Sequence, residues 1–316
     1  MEQKGIIDNM ECKIKILVCY YQPWEIIHDD LFFPIQAGKS VSGFDLKIQG
    51  DDTGDNISSK NAVFGEFTAW YWAWKNIKNY YPNLEYIGLS HYRRFFCMNN
   101  RFWEKREINV LNLPPMFNYE KLLINTLRKN DIILIRPEKQ EYNIRTQYSY
   151  WHNSFDYLIL RNTVREMYPE YYESFLYFFE KNKSISWYCM FVSKYEFLDN
   201  YFKWLFPLLS KLEQKIDVSS YSDYQKRVLA FLAERLLNVY VLHHNLKIKY
   251  KPIYFICKDD AEIKKKTKKN NGIFKITKAV KSFIPYEIIK LWKKIKNKDY
   301  HIILRKKLHD KCAVLS

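Results

Sequence analysis

The sequence predicts an α/β fold, a sheet of short buried strands flanked by helices and followed by a helical C-terminal part. Three observations carry the prediction. A β-rich apolar run, Lys13–Tyr21 (KIKILVCYY), stands close to the N-terminus. Strand-like and helix-like stretches then alternate, before a largely helical stretch with one late strand. The 316 residues, 47% of them hydrophobic, suffice to bury a full core in one large domain or two closely packed ones.

In chain order, Gln22-Pro23 ends the first strand. Trp24–Lys60 is polar, Gly-dotted and without sustained periodicity. Such a connection is longer than usual, and long loops after first strands often carry ligand contacts. From Asn61 to Tyr80 aromatic and apolar residues recur at three- and four-residue spacings, which predicts a helix closed by Pro82. Leu84–Ser90 (LEYIGLS) reads as the next strand. His91-Tyr92-Arg93-Arg94 then falls just beyond its carboxyl end, where open α/β sheets bind ligands. A helix over Tyr119–Lys129 leads to a strand, Asp131–Ile135, stopped by Pro137. Helices follow over Asn153–Met167 and Glu170–Lys181, the latter entered through Pro169. Trp187–Ser193 reads as a strand, and Lys194–Ile216 and Ser222–His244 as two long amphipathic helices.

Charge separates the chain into two parts, which sets the expected domains at 13–255 and a basic tail at 256–316. Of the net +16, residues 261–316 hold 17 Lys and Arg against 4 Asp and Glu, a net +13, which leaves +3 for everything before. Within the tail, Ile288, Leu291, Trp292 and Ile295 share one face of a predicted helix, Pro285–Ile295, whose remaining surface is largely lysine. This is the pattern of a helix lying on an anionic membrane surface; a solvated tail and a nucleic-acid contact are the competing readings.

No run of about 18 apolar residues occurs, so no transmembrane helix is expected, and the N-terminus lacks the apolar centre of a signal peptide. The six cysteines form no C-x-x-C pair, which fits reduced thiols in the cytoplasm. Phosphate-loop, dinucleotide, nucleophile-elbow and H-E-x-x-H zinc motifs are all missing, which weighs against those enzyme classes.

Two clusters can carry chemistry. Asp51-Asp52-Thr53-Gly54-Asp55-Asn56-Ile57-Ser58 gathers three carboxylates, an amide and two hydroxyls around one glycine. It can hold a hard cation or meet sugar hydroxyls, or it can be a turn with Ser58 or Ser59 capping the next helix. In the second cluster Arg93 and Arg94 offer forked donors suited to a diphosphate, or can pair with the carboxylates of the first. His91 reads as a base or as a hydrogen-bonded structural histidine.

Together, PIQAGKS (Pro34–Ser40), DDTGDNIS, NAVFGEFTAWYWAWKN (Asn61–Asn76) and YIGLSHYRRFF (Tyr86–Phe96) resemble a bacterial capsular-polysaccharide-synthesis family catalogued as domain of unknown function 4422. The resemblance continues through Gln147–Tyr172, Met190–Glu213 and Gln225–Val241. It implies a GT-A-like nucleotide-sugar-binding sheet and a glycosyltransferase. The donor would be a nucleotide sugar such as a UDP-sugar, with galactofuranose or another hexose transferred. The acceptor would be a lipid-linked oligosaccharide of a surface polysaccharide, reached from the inner face of the cell membrane, with no nucleic-acid partner. On this reading Asp51, Asp52, Asp55, Asn56, His91, Arg93 and Arg94 bind the donor, and Asp156, one helical turn beyond His152, is the proton acceptor. Arginine rather than metal would stabilise the diphosphate, with Mg²⁺ or Mn²⁺ on Asp51, Asp52 or Asp55 as the rival.

Overall fold

A computed structural model describes residues 12–98, 107–109, 118–259 and 261–262. The chain divides into two compact units, Met1–Arg106 with Leu113–Ile256, and Glu107–Asn112 with Cys257–Ser316. In the smaller unit the described residues include a short turn in which the Lys258 amide donates to Glu262 and the Glu262 amide to Asp259. The predicted tail helix Pro285–Ile295 lies outside the described residues.

The larger unit is a mixed, mostly parallel sheet flanked by helices, as the sequence predicts. Its strands are β1 (Ile14–Tyr20), β2 (Phe32–Gln36) and β3 (Gln49–Gly50). After helices α1 (Asn61–Phe64) and α2 (Phe67–Tyr80) come β4 (Tyr86–His91) and β5 (Arg94–Phe96). Helix α3 (Tyr119–Leu127) leads to β6 (Ile132–Ile135) and β7 (Glu138–Lys139). Then follow α4 (Ile144–Trp151), α5 (Ser154–Met167), α6 (Tyr172–Leu176), β8 (Ser184–Ile185) and β9 (Phe191–Lys194). The unit ends with α7 (Tyr195–Lys215), α8 (Asp223–Lys226), α9 (Val228–His243), β10 (Ile248–Lys251) and β11 (Ile253–Cys257), whose last residue falls to the smaller unit.

The main sheet runs β10-β6-β9-β4-β1-β2-β3. Strand β1 is parallel to both β2 and β4, whereas β9 is antiparallel between β4 and β6. All seven residues of β1 are buried, as expected for a central strand covered on both faces. Leu17 and Cys19 belong to the large core that α2, α5, α7 and α9 close over one face.

Several elements depart from the expected pattern for identifiable reasons. The segment Trp24–Lys60, expected as one long loop, contains β2 and β3. Pro34 is tolerated in β2 because Leu31 and Ala37 bond to β1, which leaves the Pro34 nitrogen on the other side, where β3 pairs only from Ile35 onward. The helix expected over Asn61–Tyr80 breaks at Gly65, whose φ of 54° and ψ of −135° are open essentially to glycine alone. The strand expected from Trp187 starts only at Phe191, because Tyr188 (φ 71°) and Cys189 (φ 49°) are left-handed.

Candidate functional site

At the carboxyl ends of β1 and β2 lies a cavity of about 460 Å³. Tyr21 and the Gly38 to Phe44 segment form one side of it. Asn61, Gly65 and Glu66 form the second, and Asp223, Lys226 and Arg227 the third. Glu66 and Arg227 form an ion pair at 3.1 Å, with the carboxylate side chain 15% exposed. The pair depends on Gly65: a Cβ there would stand 3.1 Å from the Ala230 Cβ and 3.3 Å from the Arg227 guanidinium.

Asp51 frames this cavity from beneath. It is wholly buried, and its carboxylate accepts from the Gly38 and Lys39 amides at 2.8 and 3.0 Å and from the Ser58 hydroxyl at 2.5 Å. The Ser58 hydroxyl in turn accepts from the Ser40 amide, so the rim turn Gly38–Ser40 is held at three points. Buried Gln36 fixes the rest of the rim through the Phe44 carbonyl and the Leu46 amide. Every one of these donors is internal, and Asp51, expected to contact the donor, holds the rim. Asn56 closes its own turn, accepting from the Ser58 amide and donating to the Gly54 carbonyl. Asp55 accepts from the Tyr71 hydroxyl at 3.0 Å, and Asp52 is exposed. None of Asp51, Asp52, Asp55 or Asn56 lines the cavity. Among the described residues no three His, Cys, Asp or Glu side chains converge on a metal position.

The second cluster is a two-residue turn, with His91 paired to Arg94 across β4 and β5. The structure separates its two arginines. Arg93 lies between the Trp24 and Phe255 rings at 4.5 and 4.9 Å, and its Nε donates to the Ile256 carbonyl at 2.8 Å. Arg94 sits 4.0 Å over the Tyr188 ring, has a buried Nε without a hydrogen-bond partner, and enters none of the ion pairs among the described residues. His91 donates through Nε2 to the Tyr188 carbonyl at 2.8 Å, since a carbonyl can only accept. Burial first, then the positive charges of Arg94 and Arg227, lower its pKa to about 4 against the opposing pull of Glu66. His91 is therefore neutral at pH 7. The strained Tyr188 amide donates to Glu234 at 2.8 Å, and burial raises the Glu234 carboxyl above the usual range. Tyr92 meets Tyr21 edge to face at 5.2 Å, which joins this turn to the cavity wall.

Asp156 and His152 do not reach the cavity. Asp156 is 1% exposed and accepts from the Tyr221 hydroxyl at 2.6 Å. His152 is buried against Phe231 at 4.1 Å and shares a 3.1 Å hydrogen bond with the Gln225 amide oxygen. Burial, then Arg235, lower its pKa to about 4. Asp156 and His152, expected as the catalytic pair, thus lie away from the cavity, whereas Glu66 lines it. Glu66, Asp223, Lys226 and Arg227 were not singled out from the sequence. The available signal was Gly65 interrupting an aromatic helical run immediately before an acid.

Comparisons with known proteins agree with this architecture. No curated protein matches the chain. Among solved structures, the apo structure of the bifunctional glycosyltransferase WbbM aligns with a TM-score of 0.70 at 27% identity, covering 78% of this chain and 45% of that one. The chain thus spans less than half the length of that solved protein. Residues 15–245, from the first strand to the end of α9, match the family described as Domain of unknown function (DUF4422), and the chain belongs to that family.

Proposed function

We propose that the chain is a glycosyltransferase that holds a nucleotide-sugar donor in the cavity above β1 and β2. The observation that carries this is the pairing of Glu66 with Arg227 in a 460 Å³ cavity at the sheet's carboxyl edge. The likeness to WbbM, a bifunctional glycosyltransferase by its title, supports the reaction class. In the transfer, an acceptor hydroxyl oxygen attacks the anomeric carbon while the bond from that carbon to the diphosphate oxygen breaks. Glu66 takes the hydroxyl proton, and the departing diphosphate is met by Arg227 and Lys226, which line the cavity.

Finer assignments belong to the same proposal. The donor is a UDP-sugar carrying galactofuranose or another hexose, and the acceptor a lipid-linked precursor of a surface polysaccharide. The net +13 of residues 261–316 holds the protein to the anionic inner leaflet. Nucleoside diphosphate release from a panel of sugar nucleotides tests the chemistry. Glu66→Gln is expected to lower the rate by about 10² to 10⁴-fold while the melting temperature stays near that of the wild type. Undiminished turnover in that variant removes Glu66 from the reaction. Sedimentation with anionic vesicles, reversed by salt, tests the membrane assignment; equal binding to neutral vesicles contradicts it.

A further inference from the structure

Two exposed aromatic residues are tied to α8, the short helix whose Asp223 and Lys226 line the cavity. Trp151 is 65% exposed and Tyr224 58% exposed. Neither position is loose. Gln225 donates through Nε2 to the Trp151 carbonyl at 2.7 Å and accepts from His152 at 3.1 Å. The His152 ring lies nearly parallel to that of Tyr224, at 20° and 6.2 Å, and stacks on Phe231 from α9. The Tyr150 ring is 6.0 Å from that of Trp151, and Tyr142 stacks on Tyr150 at 6.4 Å and 11°. The same helix α8 that carries Tyr224 also carries Asp223 and Lys226, both of which line the cavity.

We propose that Trp151 and Tyr224, with Asp223 beside them, form a saccharide platform that seats the acceptor chain leading into the cavity. A sugar ring has one apolar C–H face and a rim of hydroxyls. A flat aromatic ring takes the face, and a carboxylate accepts from two neighbouring hydroxyls at once. The Asp223 side chain is 97% exposed and Lys226 holds it at 2.9 Å, with its pKa lowered by that hydrogen bond, so it is an ionised acceptor at pH 7. A single-stranded nucleic acid would need a run of cations along its backbone, and the acid beside Tyr224 opposes that. The platform's role as acceptor subsite rests on the glycosyltransferase reading; its capacity to bind a saccharide does not.

The full chain and its Trp151→Ala, Trp151→Phe and Tyr224→Ala variants, applied to an array of bacterial surface oligosaccharides, test this directly. Melting temperatures with and without sugar nucleotides are measured on the same samples. The expected result is retention of at least one glycan by the wild type and a loss of about tenfold or more in affinity on Trp151→Ala. Trp151→Phe, which keeps a ring, should retain most of the binding, and every variant should respond to the donor as the wild type does. Absence of glycan binding by the wild type, or binding undiminished in both alanine variants, overturns the platform. Glycan binding lost in the alanine variants, in a protein that no sugar nucleotide stabilises, supports the platform and overturns the donor assignment instead.

Discussion

Asp51 and Glu66 are both carboxylates near a glycine, and their surroundings give them opposite roles. Asp51 has three internal donors and no exposure, so its charge serves the Gly38–Ser40 rim. Replacing it by alanine strips the partners from two backbone amides and a hydroxyl. The expected cost is about 3 kcal/mol in urea unfolding, within the range for buried charge-assisted hydrogen bonds. A cost under about 0.5 kcal/mol, the size of an ordinary surface substitution, contradicts the framing role. Glu66 has one partner and an open side. Residue types in DDTGDNIS were legible as chemistry, yet which oxygens are already taken depends on the turns that fold back on them, and spacing does not reveal that. The same holds for Asp156, whose helical position was clear and whose partner Tyr221 comes from a loop 65 residues away.

At the scale of elements, the strands and helices with one strong period were legible: β1, β4, β6, α5 and α7 all lie within about two residues of their expected bounds. Those that departed are the ones that build the site. Two short strands hid in Trp24–Lys60, because five and two residues are too few to show alternation. Gly65 divided an aromatic helix, and Arg227 separated α8 from α9. The break at Gly65 turns Glu66 into the cavity, so Gly65→Ala should disturb both fold and site. A Cβ at φ 54° and ψ −135° adds about 1 to 3 kcal/mol of backbone strain, before the close approach to Ala230. Circular dichroism melts should show that loss together with reduced donor affinity. A variant as stable as the wild type would mean that the chain turns at Gly65 without needing glycine.

Over the whole molecule, two buried histidines from different parts of the chain share one titration behaviour. His91 and His152 both have folded pKa values near 4, against an ordinary value of 6.5. The unfolded chain therefore binds more protons than the folded one between those limits, and stability rises with pH through that window. Full stability is present above about pH 6.5 and is lost as pH falls towards 4, at roughly 1.4 kcal/mol per pH unit for each ring. Urea midpoints at pH 7, 5.5 and 4.5 should fall in that order; a flat profile would show that both rings stay neutral in the unfolded chain or charge freely in the folded one. No helix among the described residues is long and apolar enough to cross a membrane.

The most direct test of the central claim is the melting temperature of the full chain across a panel of sugar nucleotides, beside an Arg227→Ala variant. A donor present at about 100 times its dissociation constant should add roughly 2.7 kcal/mol to the wild type and clearly less to the variant. Silence of the wild type across the panel, or an equal response from Arg227→Ala, would contradict a donor held in the cavity above β1 and β2.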